Sequence, residues 1–365
     1  MCGVDDDLTA THERGVLMGK GLSWALTIIG VLLLAAGLVL MLAIVPGMNK
    51  MPADTDTTRD YEGTMVVLLN PADFTFQKML PITLQRHFAV TETDGDAALV
   101  KEEKTMMTGS TPLQQVVTNY AVDRVTMLAT DQFPEAWASS EGFAPREGVV
   151  LSWPFDTEQK DYTGWSDDYM STVPLTFAEE ATHERSGMKL YKFTSASDPK
   201  PIVAETVAAM GLPTELPKAQ VQQLLGQIDL SALPGDMLTQ LFAKLPDPVP
   251  LQYLYGYDGT YWIDPPTGII VDVEKTERRS VTLSPDVLPQ ALLSLLPEEA
   301  LNALRVPVSD FKYTATDASV EDAKADAEDA GSKLQLYGTT LPWIGIIAGA
   351  VLLVIGLVLM RRKTA

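Results

Sequence analysis

Cysteine is all but missing from this chain: Cys2 is the single example in 365 residues. A disulfide framework and a cysteine-based zinc site are therefore excluded. No N-x-[ST] sequon occurs, and of three histidines only His87 and His183 lie far from the N-terminus. H-E-x-x-H, G-x-S-x-G, the P-loop and G-x-G-x-x-G are all absent, so the markers of zinc hydrolases, α/β-hydrolases and nucleotide-binding folds are missing. A Ser-His-Asp triad is set by geometry and not by spacing, so it stays open. No catalytic residue, metal ligand or cofactor is assigned. Charge, finally, is absent from two stretches, Leu22–Val45 and Leu341–Met360. At about 1.5 Å per residue, either is long enough to cross a hydrocarbon core of about 30 Å.

What surrounds those stretches sets the topology. Arg14 and Lys20 precede the first, Arg361, Arg362 and Lys363 follow the second, and Lys50 stands as a lone counter-signal. Basic residues near span ends are retained on the cytoplasmic side. The sequence thus predicts cytoplasmic tails at 1–21 and 361–365, spans at 22–45 and 341–360, and an extracytoplasmic segment 46–340 of a two-pass plasma-membrane protein. A cleaved signal peptide is the other reading of the first run. Its length, and the lack of a small-x-small site in Ala43-Ile-Val-Pro-Gly47, argue for retention. Segment 46–340 holds 22 of the 27 Lys+Arg and 44 of the 48 Asp+Glu, a net charge of −22. Bulk attraction to nucleic acid or to anionic headgroups is excluded, and solubility, cation binding or repulsion from an anionic envelope remain.

Within 46–340 the pattern predicts an α+β fold: a β-rich extracytoplasmic domain with helical insertions, flanked by N- and C-terminal transmembrane helices. Residues 1–20 read as a disordered polar tail and Asn49–Glu62 as a polar stretch. Met65–Leu69, Leu84–Thr91, Ala97–Met107, Val149–Phe155, Met188–Phe193 and Leu251–Tyr257 are β-branched or aromatic runs bounded by breakers. Ile202–Met210, Lys218–Ile228 and Asp236–Lys244 read as helices punctuated by proline, forming an insertion at about 200–246. Asp286–Leu304 forms a second helical block, at about 285–305. Tyr261–Thr276 is the clearest hairpin, turning through Asp264-Pro-Pro-Thr-Gly268, with Ile269, Val271 and Val273 on the buried face and Asp272, Glu274 and Thr276 on the wet one. The acidic stretch 315–332 is either a helical stalk or a flexible one, and its Ala, Glu and Lys favour helix.

Three groups of residues stand out as candidate sites. Trp153, Phe155, Tyr162 and Trp165 cluster in one segment, and Tyr253, Tyr255, Tyr257, Tyr261 and Trp262 in another. With Tyr253, Tyr255 and Tyr257 two apart on one strand face, these rings either line a lipid or glycan cavity or fill an ordinary core. Gly30 and Gly37, and likewise Gly349 and Gly356, lie seven apart, on one face of each span. There two helices can approach closely, within one chain or between copies of a homo-oligomer. Neither span contains an ionisable residue, so neither reads as an ion or proton pathway. Carboxylates at Asp54, Asp56, Asp60 and Glu62, and the pair Asp167 and Asp168, fit solvated turns as well as a cation site.

Several of these segments also carry a family resemblance. Lys50-Met-Pro-Ala-Asp54, Val122-Asp-Arg124, Trp153-Pro-Phe-Asp-Thr-Glu-Gln-Lys-Asp-Tyr162 with Trp165, Gly187-Met-Lys-Leu-Tyr-Lys-Phe193 and Tyr261-Trp-Ile-Asp-Pro-Pro-Thr-Gly268, in order between two spans, resemble the actinobacterial two-span envelope family labelled porin PorA-like. The Asp-Arg pair departs from the family pattern, being followed by Val125-Thr126, and the block 200–246 matches poorly. The resemblance implies a non-enzymatic accessory of envelope lipid or lipoglycan assembly. Together with the aromatic clusters it predicts a domain that holds an acyl chain or glycolipid in an apolar groove between the sheet and the helical insertions. Its implied partners are an envelope lipid or glycolipid and a membrane transporter or assembly enzyme. A ligand-free membrane scaffold and a carboxylate-dependent hydrolase are the rival expectations. Two helices without polar faces make a pore only if many chains assemble, and the strands carry no lipid-facing barrel pattern.

Overall fold

The structure, a computed structural model, describes residues 6–231, 235–287 and 302–361. They divide into two compact units, residues 1–50 with 328–365, and residues 51–327. The helical block expected over Asp286–Leu304 falls for its larger part, 288–301, outside the described residues.

The larger unit is built on one sheet of eleven strands. In chain order they are β1 (Asp56–Leu69), β2 (Phe76–Asp94), β3 (Ala97–Thr108), β4 (Thr111–Asp123), β5 (Tyr162–Ser166), β6 (Ser171–Thr182), β7 (Lys189–Pro201), β8 (Glu215–Leu216), β9 (Val249–Ile263), β10 (Ile270–Leu283) and β11 (Val306–Ala315). The strand order is β4-β3-β2-β1-β11-β10-β9-β7-β6-β5, with β8 a short appendage of β9. All ladders are antiparallel.

The two ends of that order are stitched together by the connection between β4 and β5. Val122 of β4 bridges Ala129, Leu128 bridges Val149, and Val149 bridges Gly164 of β5. Backbone hydrogen bonds from Ala129 N to Gly148 O and from Val149 N to Thr163 O, 2.9 and 2.8 Å, carry this seam. The pairing therefore returns to its start, and the sheet has an inside and an outside.

Alternation sorts the side chains between those two faces. Outward residues are water-facing: His87 pairs with Asp56, Lys101 with Glu103, and Arg278 with Asp258. At one end the inside is apolar. There α2 (Ala204–Ala209), α3 (Lys218–Leu225) and α4 (Gly235–Lys244) bring Val207, Val221, Leu224, Leu225 and Leu241 onto Tyr253, Val281, Leu283 and Val306. A second apolar cluster gathers Ala98, Val100, Tyr120, Val122 and Leu151. Helix α5 (Asp317–Gln335) buries Val320 against Tyr61, Val273 and Ala315, and is tied down by Arg59–Asp326 and by Asp60 N donating to Ser319 Oγ.

In the smaller unit, α1 (Asp6–Val39) and α6 (Leu341–Arg361) pack antiparallel. The apolar stretch Gly21–Ala43 has a mean hydropathy of 2.8, and the helix running on from Asp317 to Arg361 contains a second such window at 2.7. Both are long and apolar enough to cross a membrane. Each is interrupted by a π-turn, at Leu40–Ile44 and Leu336–Thr340.

Several expectations are corrected. Helix α1 starts at Asp6, within the tail read as disordered. Polar residues 56–62 begin strand β1, because their outward positions are free to be polar. Val149–Phe155 is no strand: beyond the two bridges at Val149 it is irregular, and its apolar side chains fill the core from a loop. Asp272, expected in water, is 6% exposed. The bulge between Ile270 and Asp272 turns it onto His183 and Arg185.

Candidate functional site

The hairpin β9–β10 shows how the interior acquires its character. Val271 and Val273 face inward as the alternation predicts, and the same face continues through Lys275, Glu277 and Arg279 to Val281. A strand that buries three consecutive inward charges must pair each of them, since an unpaired buried charge costs several kcal/mol. Lys275 Nζ lies 3.0 Å from Glu277, whose other oxygen is 3.4 Å from Arg279. Tyr255 and Tyr313 each donate a hydroxyl to Glu277 at 3.0 Å. Arg279 grips Asp168 with two hydrogen bonds of 2.9 and 2.8 Å, and its guanidinium lies 4.7 Å from the centre of the Tyr255 ring.

A second cluster meets this one at the turn after β5. Glu102, 1% exposed, receives Arg86 at 2.5 Å, Arg146 at 3.1 Å and Lys104 at 3.3 Å. Arg146 then reaches Asp167 at 3.0 Å and stacks 4.1 Å above the Tyr120 ring. Adjacent Asp167 and Asp168 thus join the two clusters into one column: Arg86, Glu102, Arg146, Asp167, Asp168, Arg279, Glu277, Lys275. Two buried groups, Arg146 Nε within it and Tyr120 Oη beside it, have no hydrogen-bond partner among the described residues.

The electrostatics favour the charged form of Glu277 and Glu102 and the neutral form of Tyr255 and Tyr313. Burial would raise the Glu277 pKa, but Lys275 and Arg279 hold it down at about 2. Glu102 is desolvated too, and Lys104, Arg86 and Arg146 hold it far below the usual carboxylate range. Burial and the Glu277 charge push Tyr255 and Tyr313 well upward. A carboxylate held that low is a weak base and no acid near neutral pH, so Glu102 and Glu277 do not form the acid–base pair that the hydrolase reading requires. Among the described residues no three His, Cys, Asp or Glu side chains gather as a metal site.

The aromatic candidates are placed within this core. Trp153, 2% exposed, packs on Phe193 and Tyr261 at 5.3 and 5.6 Å, and Tyr162 meets Phe193 edge-on. Gly268, at φ +71°, makes that seat possible, because a Cβ there would collide with Trp153 O. Tyr255 stacks on Tyr257, whose hydroxyl is 2.9 Å from Ser195 Oγ, and Tyr253 donates to Pro213 O. Phe155 joins the cluster around Val100, Trp165 donates its Nε1 to Asp167, and Trp262 packs on His183. The rings are brought together in separate groups, and Tyr162 also lines an open cavity of about 590 Å³ with Leu128, Thr172 and Val173. Where an apolar groove was expected, between α3 and the strands lined by Leu251, Val281 and Val306, the free volume is about 10 Å³. Among the described residues, α3 packs its apolar face, Val221, Leu224 and Leu225, closely on the sheet at this spot.

In the smaller unit the four glycines lie where the helices touch. A Cβ on Gly30 would come 2.6 Å from Leu353 N, and one on Gly349 2.6 Å from Leu34 N. Gly37 faces Pro342 O at 2.8 Å and Gly356 faces Thr27 N at 2.8 Å.

Fold and site together define a β-rich protein whose sheet encloses a paired column of charges, bracketed by two helices of membrane-spanning length. The family model described as Porin PorA matches residues 22–358, and the chain belongs to that family. It is similar to Porin PorA of Corynebacterium resistens strain DSM 45100, with 24% identity over 341 residues covering 79% of this chain and 78% of the relative. It is also similar to Porin PorA of Corynebacterium amycolatum, with 24% identity over 399 residues covering 95% and 100%. These names overturn the expectation of a lipid-binding accessory protein: the relatives are named as porins, and neither the scaffold nor the hydrolase reading fits that name better.

Proposed function

We propose that the chain is a channel-forming protein of the cell envelope, its pore built from the helical hairpins of several copies. One observation carries this reading. The two membrane-length helices meet backbone to backbone at their glycines, so a single hairpin encloses no lumen. The strands offer no alternative wall, since outward charges such as Lys101, Glu103 and Arg278 are not tolerated in hydrocarbon. A water-filled passage then requires several hairpins, with the exposed faces that carry Ile28, Leu32, Ile347 and Val351 turned to lipid or to one another. The relatives' name supplies the activity. The basic flanks Arg14, Lys20, Arg361, Arg362 and Lys363 support a two-pass plasma-membrane reading in which both termini are cytoplasmic and 46–340 is outside.

Purified full-length protein added to a planar lipid bilayer tests the reading. Discrete conductance steps, with a frequency that rises more than linearly with protein concentration, are expected. Protein shown to be inserted that leaves the membrane insulating overturns it. Cys2, the one thiol, reports orientation, and it should react with an impermeant maleimide only from the cytoplasmic side.

A further inference from the structure

We propose that the free edge of β4 pairs with the same edge of a second copy of this chain. Among the described residues, Thr111–Val117 bond only to β3. Cover on the other side begins at Asn119, which exchanges hydrogen bonds with Gly142 O and Ala144 N. Six of these seven residues are exposed. Val116 and Val117, 39% and 42% exposed, are two of the five exposed large apolar side chains among the described residues of this unit.

Charge identifies the occupant. An open edge is a template for another strand, and proteins usually guard it with lysine, an inward charge or a bulge. Here Thr105–Val122 is an uncharged run of eighteen residues, the longest between the membrane-length stretches. Pro112 blunts only one position of the edge, its second. Every copy carries −22 in segment 46–340, so two copies approaching elsewhere oppose carboxylates, whereas two β4 edges oppose threonine, glutamine and valine. Antiparallel pairing of like edges is its own two-fold partner and closes as a dimer. The inference rests on the channel reading only in its consequence: the edge would supply the contact that gathers hairpins, and membrane confinement raises the effective concentration of copies.

Full-length protein with Cys2→Ser and single cysteines at Leu113, Gln114, Gln115, Val116 and Val117 is oxidised in membranes. A disulfide-linked dimer at one or two neighbouring positions is expected. Cross-linking no stronger than at Glu62→Cys, on the outer face of β1, overturns the proposal. As a second measure, Val116→Lys with Val117→Lys should weaken association in detergent at least about tenfold, with an unchanged melting temperature showing the fold intact. Unchanged association in a folded double variant also overturns it. If that variant unfolds, the cysteine scan decides. Cross-linking without conductance sinks the channel reading and leaves the edge standing, and conductance without cross-linking does the reverse.

Discussion

Glu102 sets the terms at the scale of single residues. Three cations converge on it, and the two arginines have one further acceptor each, Val150 O for Arg86 and Asp167 for Arg146. Glu102→Gln keeps the shape and removes the charge, and should cost about 3–5 kcal/mol, the loss typical of breaking a buried pair from one side. Chemical denaturation of the full-length protein in detergent measures it. Glu277 gives a pH signature. Its folded pKa of about 2 lies below the ordinary 4.5, so its contribution is complete above about 4.5 and is lost as the pH falls towards 2. The melting temperature should drop over that window, and drop less steeply in Glu277→Gln, whose baseline stability is lower. None of this column was legible as pairs. Arg86 and Glu102 are 16 positions apart and Arg279 and Asp168 are 111. A signal did exist in Lys275, Glu277 and Arg279, which continue the period of Val271 and Val273. The inward face could be read off that period, but what would neutralise it could not.

Elements were legible where periodicity and punctuation agree. The β9–β10 hairpin announces itself through alternation and a Pro-Pro-Thr-Gly turn, and the spans through length alone. Residues 149–155 misled because apolar composition says that a segment is buried, not that it is extended. The helices of the 200–246 insertion were visible in outline, but their consequence was not: seating depth depends on complementarity between distant surfaces, which decides between a groove and a filled interface. For the helical hairpin, close approach makes a steep prediction. Gly30→Leu or Gly349→Leu forces the backbones apart, and should lower stability by about 1–3 kcal/mol, as overpacking does, shifting the midpoint of SDS-induced unfolding downward. Gly21→Leu is the control, since a Cβ at Gly21 meets nothing within 4 Å.

For the whole molecule, one line of paired charges runs through an interior that is otherwise largely apolar, while other charges stand outside in water. The lipid-binding expectation is overturned by the porin names of the relatives, and Tyr255 on its strand face shares the interior with Glu277 and Arg279. The uncompensated charge of 46–340 bears on the channel proposal. A net −22 near a conducting pathway concentrates cations, so reversal potentials under a salt gradient should favour cations, and more weakly at high ionic strength.

The seam between β4 and β5 has a consequence of its own. Elsewhere adjoining strands share long ladders, but here the circle is completed by three single bridges through Leu128, Ala129 and Val149. The free energy needed to part neighbours scales with what joins them, so the cylinder has a hinge line of least resistance. Asp167, half exposed and bonded to Arg146, lies just beyond β5, one end of that line. The place where the wall yields first is therefore also the place where the enclosed charges first meet the medium.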